Sequence, residues 1–136
     1  MIPYQSKKRK TPGTNYSEVK KNVRLIFREI ESKTKRKPYI KSTYFNKEKV
    51  FFDYFWKHLN QKGPKERFKR LKYFSPALDV VKNTRNKPVS KDNPNKKDKL
   101  LHRFAGLTAN KELFYVQIKE EKKTGKKYFM SCFSPE

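Results

Sequence analysis

Residues Leu100–Phe133 read LLHRFAGLTANKELFYVQIKEEKKTGKKYFMSCF, and the fold turns on how this stretch is divided. Apolar and polar residues alternate in three runs, the period of a half-buried strand. The runs are Leu100–Leu107, Leu113–Glu120 and Lys127–Phe133. TANK and EKKTGK join them, and these are hairpin-sized connections in which Asn110 and Gly125 suit positive φ. The reading is an antiparallel meander with one covered face and one wet face. On the second run Phe114, Val116 and Ile118 point one way, and Tyr115, Gln117 and Lys119 point the other. The first set must meet the rest of the protein, so Lys119 is expected on the open face. The other two runs do not settle their own orientation. His102 travels with Leu100, Phe104 and Gly106, whereas Arg103 travels with Leu101, Ala105 and Leu107. A shift of one residue swaps which of the two joins Lys119, and a bulge near Gly106 would bring both there. Ser131 shares a face with Phe129 and Phe133, and Cys132 with Tyr128 and Met130.

Upstream the period changes. Val19, Val23, Ile26, Phe27 and Ile30 form an apolar stripe that predicts a helix over 17–34, with Ser17 as its cap. YIKSTYF at 39–45 reads as a short strand. The aromatic run VFFDYFWKHLNQK at 50–62 places Phe51, Phe52, Phe55, Trp56 and Leu59 on one helical face. KERFKRLKYF and PALDVVKNT read as one kinked helix or two, broken at Ser75–Pro76. The expected fold is therefore α+β, with N-terminal helices packed on one face of a C-terminal antiparallel sheet of three to four strands. Residues 1–14 read as a disordered basic arm. Residues 15–136 read as a single domain, with helices over 15–84, a polar loop over 85–98 and the sheet over 99–134.

The chain has 136 residues, with 36 Lys and Arg against 13 Asp and Glu, for a net charge of +23. Such a surface attracts polyanions, and nucleic acid is the first partner it suggests. The charge is uneven. Residues 1–37 carry 12 bases against 3 acids, residues 38–103 carry 18 against 6, and the rest carry 6 against 4. The helices and loops would hold a polyanion, and the sheet is nearly balanced. No run approaches the ~18 apolar residues of a membrane span, and the first residues lack an apolar leader segment. A cytoplasmic protein with no membrane partner is expected. A single cysteine, Cys132, rules out an internal disulfide. One Cys and two His, with no carboxylate at ligand spacing, make no structural metal site, and no glycine-rich loop cradles phosphate.

The order of a helical part, then LLHRFAG, LFYVQIKE and KKYFMSCF, resembles the small nuclease and toxin domains of the barnase–EndoU–colicin–RelE architecture, including phage- and mobile-element-associated members. The resemblance covers about 100–133. It implies metal-independent RNA cleavage without a cofactor, by attack of the ribose 2′-hydroxyl on the neighbouring phosphate. Carried over by position, His102 matches an early-strand histidine, Lys119 a central cation and Ser131 a late-strand hydroxyl, with Arg103 and Glu120 beside them. His102 or Glu120 would be the base, and Lys119 and Arg103 would stabilise the phosphorane. Arg67, Arg70, Arg85, Lys87 and Lys91 would hold the flanking backbone, and Tyr115 or Tyr128 would stack a base. The partners are RNA or DNA and, through the toxin resemblance, an inhibitor protein. The competing reading is a non-catalytic DNA- or RNA-binding accessory protein of a mobile element. Geometry separates them, because a nuclease needs His102 or Glu120 close to Lys119 or Arg103 on one face.

Overall fold

The computed structural model describes residues 1–135. Eleven elements follow one another: β1 (Tyr4–Gln5), α1 (Tyr16–Ser32), β2 (Tyr39–Ser42), β3 (Glu48–Phe51), α2 (Phe55–Asn60), α3 (Pro64–Lys72), α4 (Phe74–Asn83), β4 (Val89–Asn93), β5 (Lys96–Leu107), β6 (Leu113–Glu121) and β7 (Lys127–Phe133). The expected meander is present, since β5, β6 and β7 pair antiparallel in sequence order.

The sheet departs from the expected three or four antiparallel strands. It has seven, it is mixed, and it curls strongly into a half-barrel. The reason lies in the two edges that a three-stranded meander leaves open, each a row of unsatisfied N–H and C=O groups. On the outer edge of β5, β4 pairs antiparallel with its first part and β1 pairs parallel with Gly106 and Leu107. On the other side β3 runs parallel to β7 at Lys127 and Tyr128, and β2 completes the order. Bulges shift the register between Gln117 and Ile118, and between Asp92 and Asn93. Neither lies at Gly106, and bulges of this kind sharpen the twist.

Three other expectations change with the sheet. Residues 1–14 are packed: Ser6 and Thr11 are buried, and the Ser6 hydroxyl donates to Asp79 Oδ2 at 2.6 Å. The polar segment 85–98 holds β4 and the start of β5. Residues 50–51 finish a strand, and helix begins only at Phe55. Helix α1 forms as its stripe predicts, but Asn15 caps it, its Oδ1 accepting from the Glu18 N–H at 3.0 Å.

Helices α2, α3 and α4 lie against the sheet, and α1 packs across α3 and α4. The core between them is aromatic. Phe129 of β7 is fully buried and stacks on Phe52 at 5.3 Å, with Phe55 edge-on at 5.3 Å. Gly106 allows a close approach of α4 to the sheet, because a Cβ there would meet Phe114 and Val80 side-chain atoms at 2.7 Å. Among the described residues no helix is long and apolar enough to cross a membrane.

Candidate nucleic-acid interface

The register settles the orientation that alternation left open. Phe104 lies opposite Val116 and His102 opposite Ile118, all buried, so His102 faces the helices. Arg103 lies opposite Gln117 and Leu101 opposite Lys119 on the far side. The predicted catalytic residues are thereby divided. His102 and Glu120 lie on the helix side, and Arg103, Lys119 and Ser131 lie on the open side.

On the helix side, His102 spends both ring nitrogens within the protein. Nε2 lies 2.8 Å from Glu120 Oε1, and Nδ1 lies 2.6 Å from Ser90 Oγ. Nε2–H donates to the Glu120 carboxylate, and Nδ1 pairs with the Ser90 hydroxyl. Phe45 covers the ring at 5.1 Å. A histidine so engaged ties β4 to β5 and β6, and has no nitrogen left for a substrate hydroxyl. Ser90, which the sequence reading did not single out, is the third member. Replacing His102 by alanine strands two polar partners, one of them charged, and is expected to cost about 2 kcal/mol of stability. Urea denaturation measures that loss, and an unchanged midpoint would mean that these two contacts do not hold β4 to the sheet.

The open side is a row of rings and cations. At one end, the Arg70 guanidinium of α3 lies 5.2 Å from the Phe133 ring centroid, and the Arg103 guanidinium lies 5.3 Å from the same ring. Arg103 also lies 5.6 Å from Tyr115, whose ring is 5.9 Å from Phe133. Arg70 reaches this place because only Lys127 and Tyr128 of β7 pair with β3, which leaves the end of β7 to α3. Its Nη1 donates to Ser131 Oγ, and its Nε donates to Glu66 at 3.0 Å. Ser131 is buried beneath this contact. Beside Arg103 a cavity of about 300 Å³ opens between β4 and β6, lined by Lys91, Leu101, Tyr115 and Gln117.

In the middle of the row, Lys119 Nζ stands 3.9 Å from the Tyr54 ring centroid. Burial, then the charges of Lys96 and Lys99, hold its pKa below the ordinary lysine value. Tyr54 packs on Tyr128 at 4.9 Å. Tyr128 is itself buried, and its hydroxyl donates to Glu121 Oε1 at 2.9 Å. Burial and then that carboxylate push its pKa up strongly. Tyr128 therefore supports the face from below, and Tyr54 is the ring it presents. The row continues through Phe51, 6.2 Å from Tyr128, to Tyr39, 6.0 Å from Phe51. Lys49 Nζ lies 4.7 Å from the Tyr39 ring.

Of the predicted backbone-holding residues, Arg70 and Lys91 lie on this face. Arg67 packs over Tyr16 of α1 at 5.7 Å, and Arg85 lines a separate cavity with Thr43, Tyr44 and Lys47. Lys87 is exposed on the connection from α4 to β4. The sequence reading missed Tyr39, Phe51, Tyr54 and Phe133 as members of one face. Alternation in YIKS was a usable signal for Tyr39, but nothing local marked Tyr54. His58, one turn along α2 from Tyr54, has its pKa lowered by burial, then by Lys62 and Arg70. Among the described residues no group of His, Cys, Asp or Glu is placed to hold a metal ion.

No protein-family model, curated protein or solved structure matches this chain.

Proposed function

We propose that this protein binds single-stranded nucleic acid across the open face of its sheet. One observation carries the reading: half-buried rings and cations alternate along that face, from Tyr39 and Lys49 through Tyr54 and Lys119 to Phe133 and Arg103. Rings offer stacking surfaces to unpaired bases, and cations offer partners to phosphates. A duplex would present phosphates but no base faces, and would leave the rings unused. The net charge of +23 adds long-range attraction. Fluorescence anisotropy with a labelled oligonucleotide of about 12 residues, single-stranded or annealed, tests this. Single strands should bind more tightly, and log affinity should fall linearly with log salt between about 50 and 200 mM. Equal or tighter binding of the duplex overturns the stacking face, and salt-insensitive binding overturns the phosphate contacts.

A second reading, RNA cleavage without metal, is favoured by what stands at the Arg70 end. Two guanidinium groups flank Phe133 beside the Ser131 hydroxyl, and burial, then the charges of Lys62 and Arg70, lower the pKa of His58. His58 would take the 2′-hydroxyl proton as O2′ bonds to phosphorus. The bond from phosphorus to O5′ breaks, and the imidazolium returns its proton to the leaving oxygen. Arg70 and Arg103 would stabilise the phosphorane. This set replaces His102 and Glu120, which face the other way. Incubation with single-stranded RNA in EDTA should then yield cyclic-phosphate ends from the parent and none from His58→Gln. Intact RNA with the parent leaves the binding reading alone.

A further inference from the structure

The run KTKRKP, residues 33–38, does more than end α1. With the β2–β3 edge it walls a cavity of about 790 Å³. Lys33, Lys35, Arg36 and Lys37 stand on one side, and Lys49 of β3 and Lys126 beside β7 on the other. Its floor holds the rings of Tyr39 and Phe51, the last two of the aromatic row. Among the described residues that line it there is no carboxylate, and Lys37 alone turns to one outside, its Nζ 2.7 Å from Asp53 Oδ2.

Six cations around one cavity exceed what an internal phosphodiester can neutralise, since each linkage carries a single negative charge. A terminal phosphate monoester carries nearly two charges at neutral pH, and an oligophosphate more. The place within the fold agrees. β2 is the last strand in the sheet order, so a strand laid along the open face reaches this cavity where the sheet ends. A terminal nucleotide can set its base on Tyr39 or Phe51, both already part of the row, with its phosphate among the lysines.

We propose that this cavity receives the terminal phosphate group of the bound single strand. The proposal rests on the single-strand reading above and adds an end preference to it. The shared chemistry is a phosphate or oligophosphate joined to a nucleobase, whether on a strand or in a free nucleotide.

The test uses the full chain, one oligonucleotide sequence in four forms (unphosphorylated, 5′-monophosphate, 5′-triphosphate and 3′-monophosphate), and free ATP as competitor. A phosphorylated end should bind about fivefold or more tightly than the unphosphorylated strand, the effect of a few new charge pairs. The variant Lys35→Gln/Arg36→Gln should erase that difference and leave the unphosphorylated strand's affinity as it was. Both side chains are exposed, so the fold is not at issue. Equal affinity for all strand forms overturns the end preference and leaves the open-face reading standing. Competition by ATP as strong as by the triphosphorylated strand overturns the strand terminus in favour of a free nucleotide. No binding of any oligonucleotide overturns the single-strand reading itself, and the end preference with it.

Discussion

Alanine at both Tyr115 and Phe133 is expected to lower affinity for a single-stranded oligonucleotide by about a hundredfold. Stacking on an aromatic side chain is worth about 1–3 kcal/mol per base. Two rings at the lower part of that range give about 3 kcal/mol, which is about two decades in affinity. The location makes the effect specific. Phe133 is flanked by Arg70 and Arg103, so its removal takes away a stacking surface and a ring on which two guanidinium groups pack. Tyr115 is the second ring under Arg103. Both are half-buried on the solvent side of the sheet, outside the close-packed core, so the thermal midpoint should move little. Tyr115→Phe should bind nearly as the parent does, because a stacked base uses the ring face. Arg103→Lys gives an intermediate loss, since it keeps the charge but not the planar group that stacks. An affinity within about threefold of the parent for the double variant would remove this end of the sheet from the interface.

The parts of this fold that were legible in the sequence are those where side chains alternate against a core. The three runs of residues 100–133 are β5, β6 and β7, and the face shared by Tyr115, Gln117 and Lys119 is the open one. The strands that escaped notice are held by backbone bonds to an existing edge, which asks little of side-chain pattern. Val89–Asn93 is almost wholly exposed and sits between Pro88 and Pro94, yet β5 pairs with it. Tyr4–Gln5 has only two residues on which to show a period. The run from Val50 to Trp56 fits a helical face as well as a buried strand, and the choice falls to β7 and β2, which flank it in space. The site follows the same division. Lys119 could be placed from its own strand. His102 and Arg103 could not, because both of their neighbour sets are partly apolar, and Phe104 meeting Val116 decides between them. Arg70 on Ser131 and Tyr54 on Lys119 are meetings of a helix with a sheet edge, which no local pattern encodes.

The largest effect on stability is expected from Phe129→Ala. Phe129 is fully buried in a cluster of four rings, stacked on Phe52 at 5.3 Å and edge-on to Phe55 at 5.3 Å and Phe74 at 6.0 Å. Truncation removes the transfer energy of the ring and leaves a cavity between a strand and two helices that cannot easily close on it. The cost is about 3–5 kcal/mol, a large share of the roughly 5–15 kcal/mol that holds a domain together. The urea midpoint should fall with little change in the slope of the transition. Phe129→Leu fills most of the space and should cost far less. A loss under about 1 kcal/mol for the alanine variant would mean that the four rings are not close-packed. The same substitution reaches the interface through the strand. Its neighbour Tyr128 points the other way, where it carries Tyr54 and stands 5.7 Å from Lys119. Room behind Phe129 lets β7 shift toward the helices and takes Tyr128 with it. On the proposed reading, affinity for single strands should therefore fall in the folded Phe129→Ala protein, although no atom of residue 129 reaches the open face.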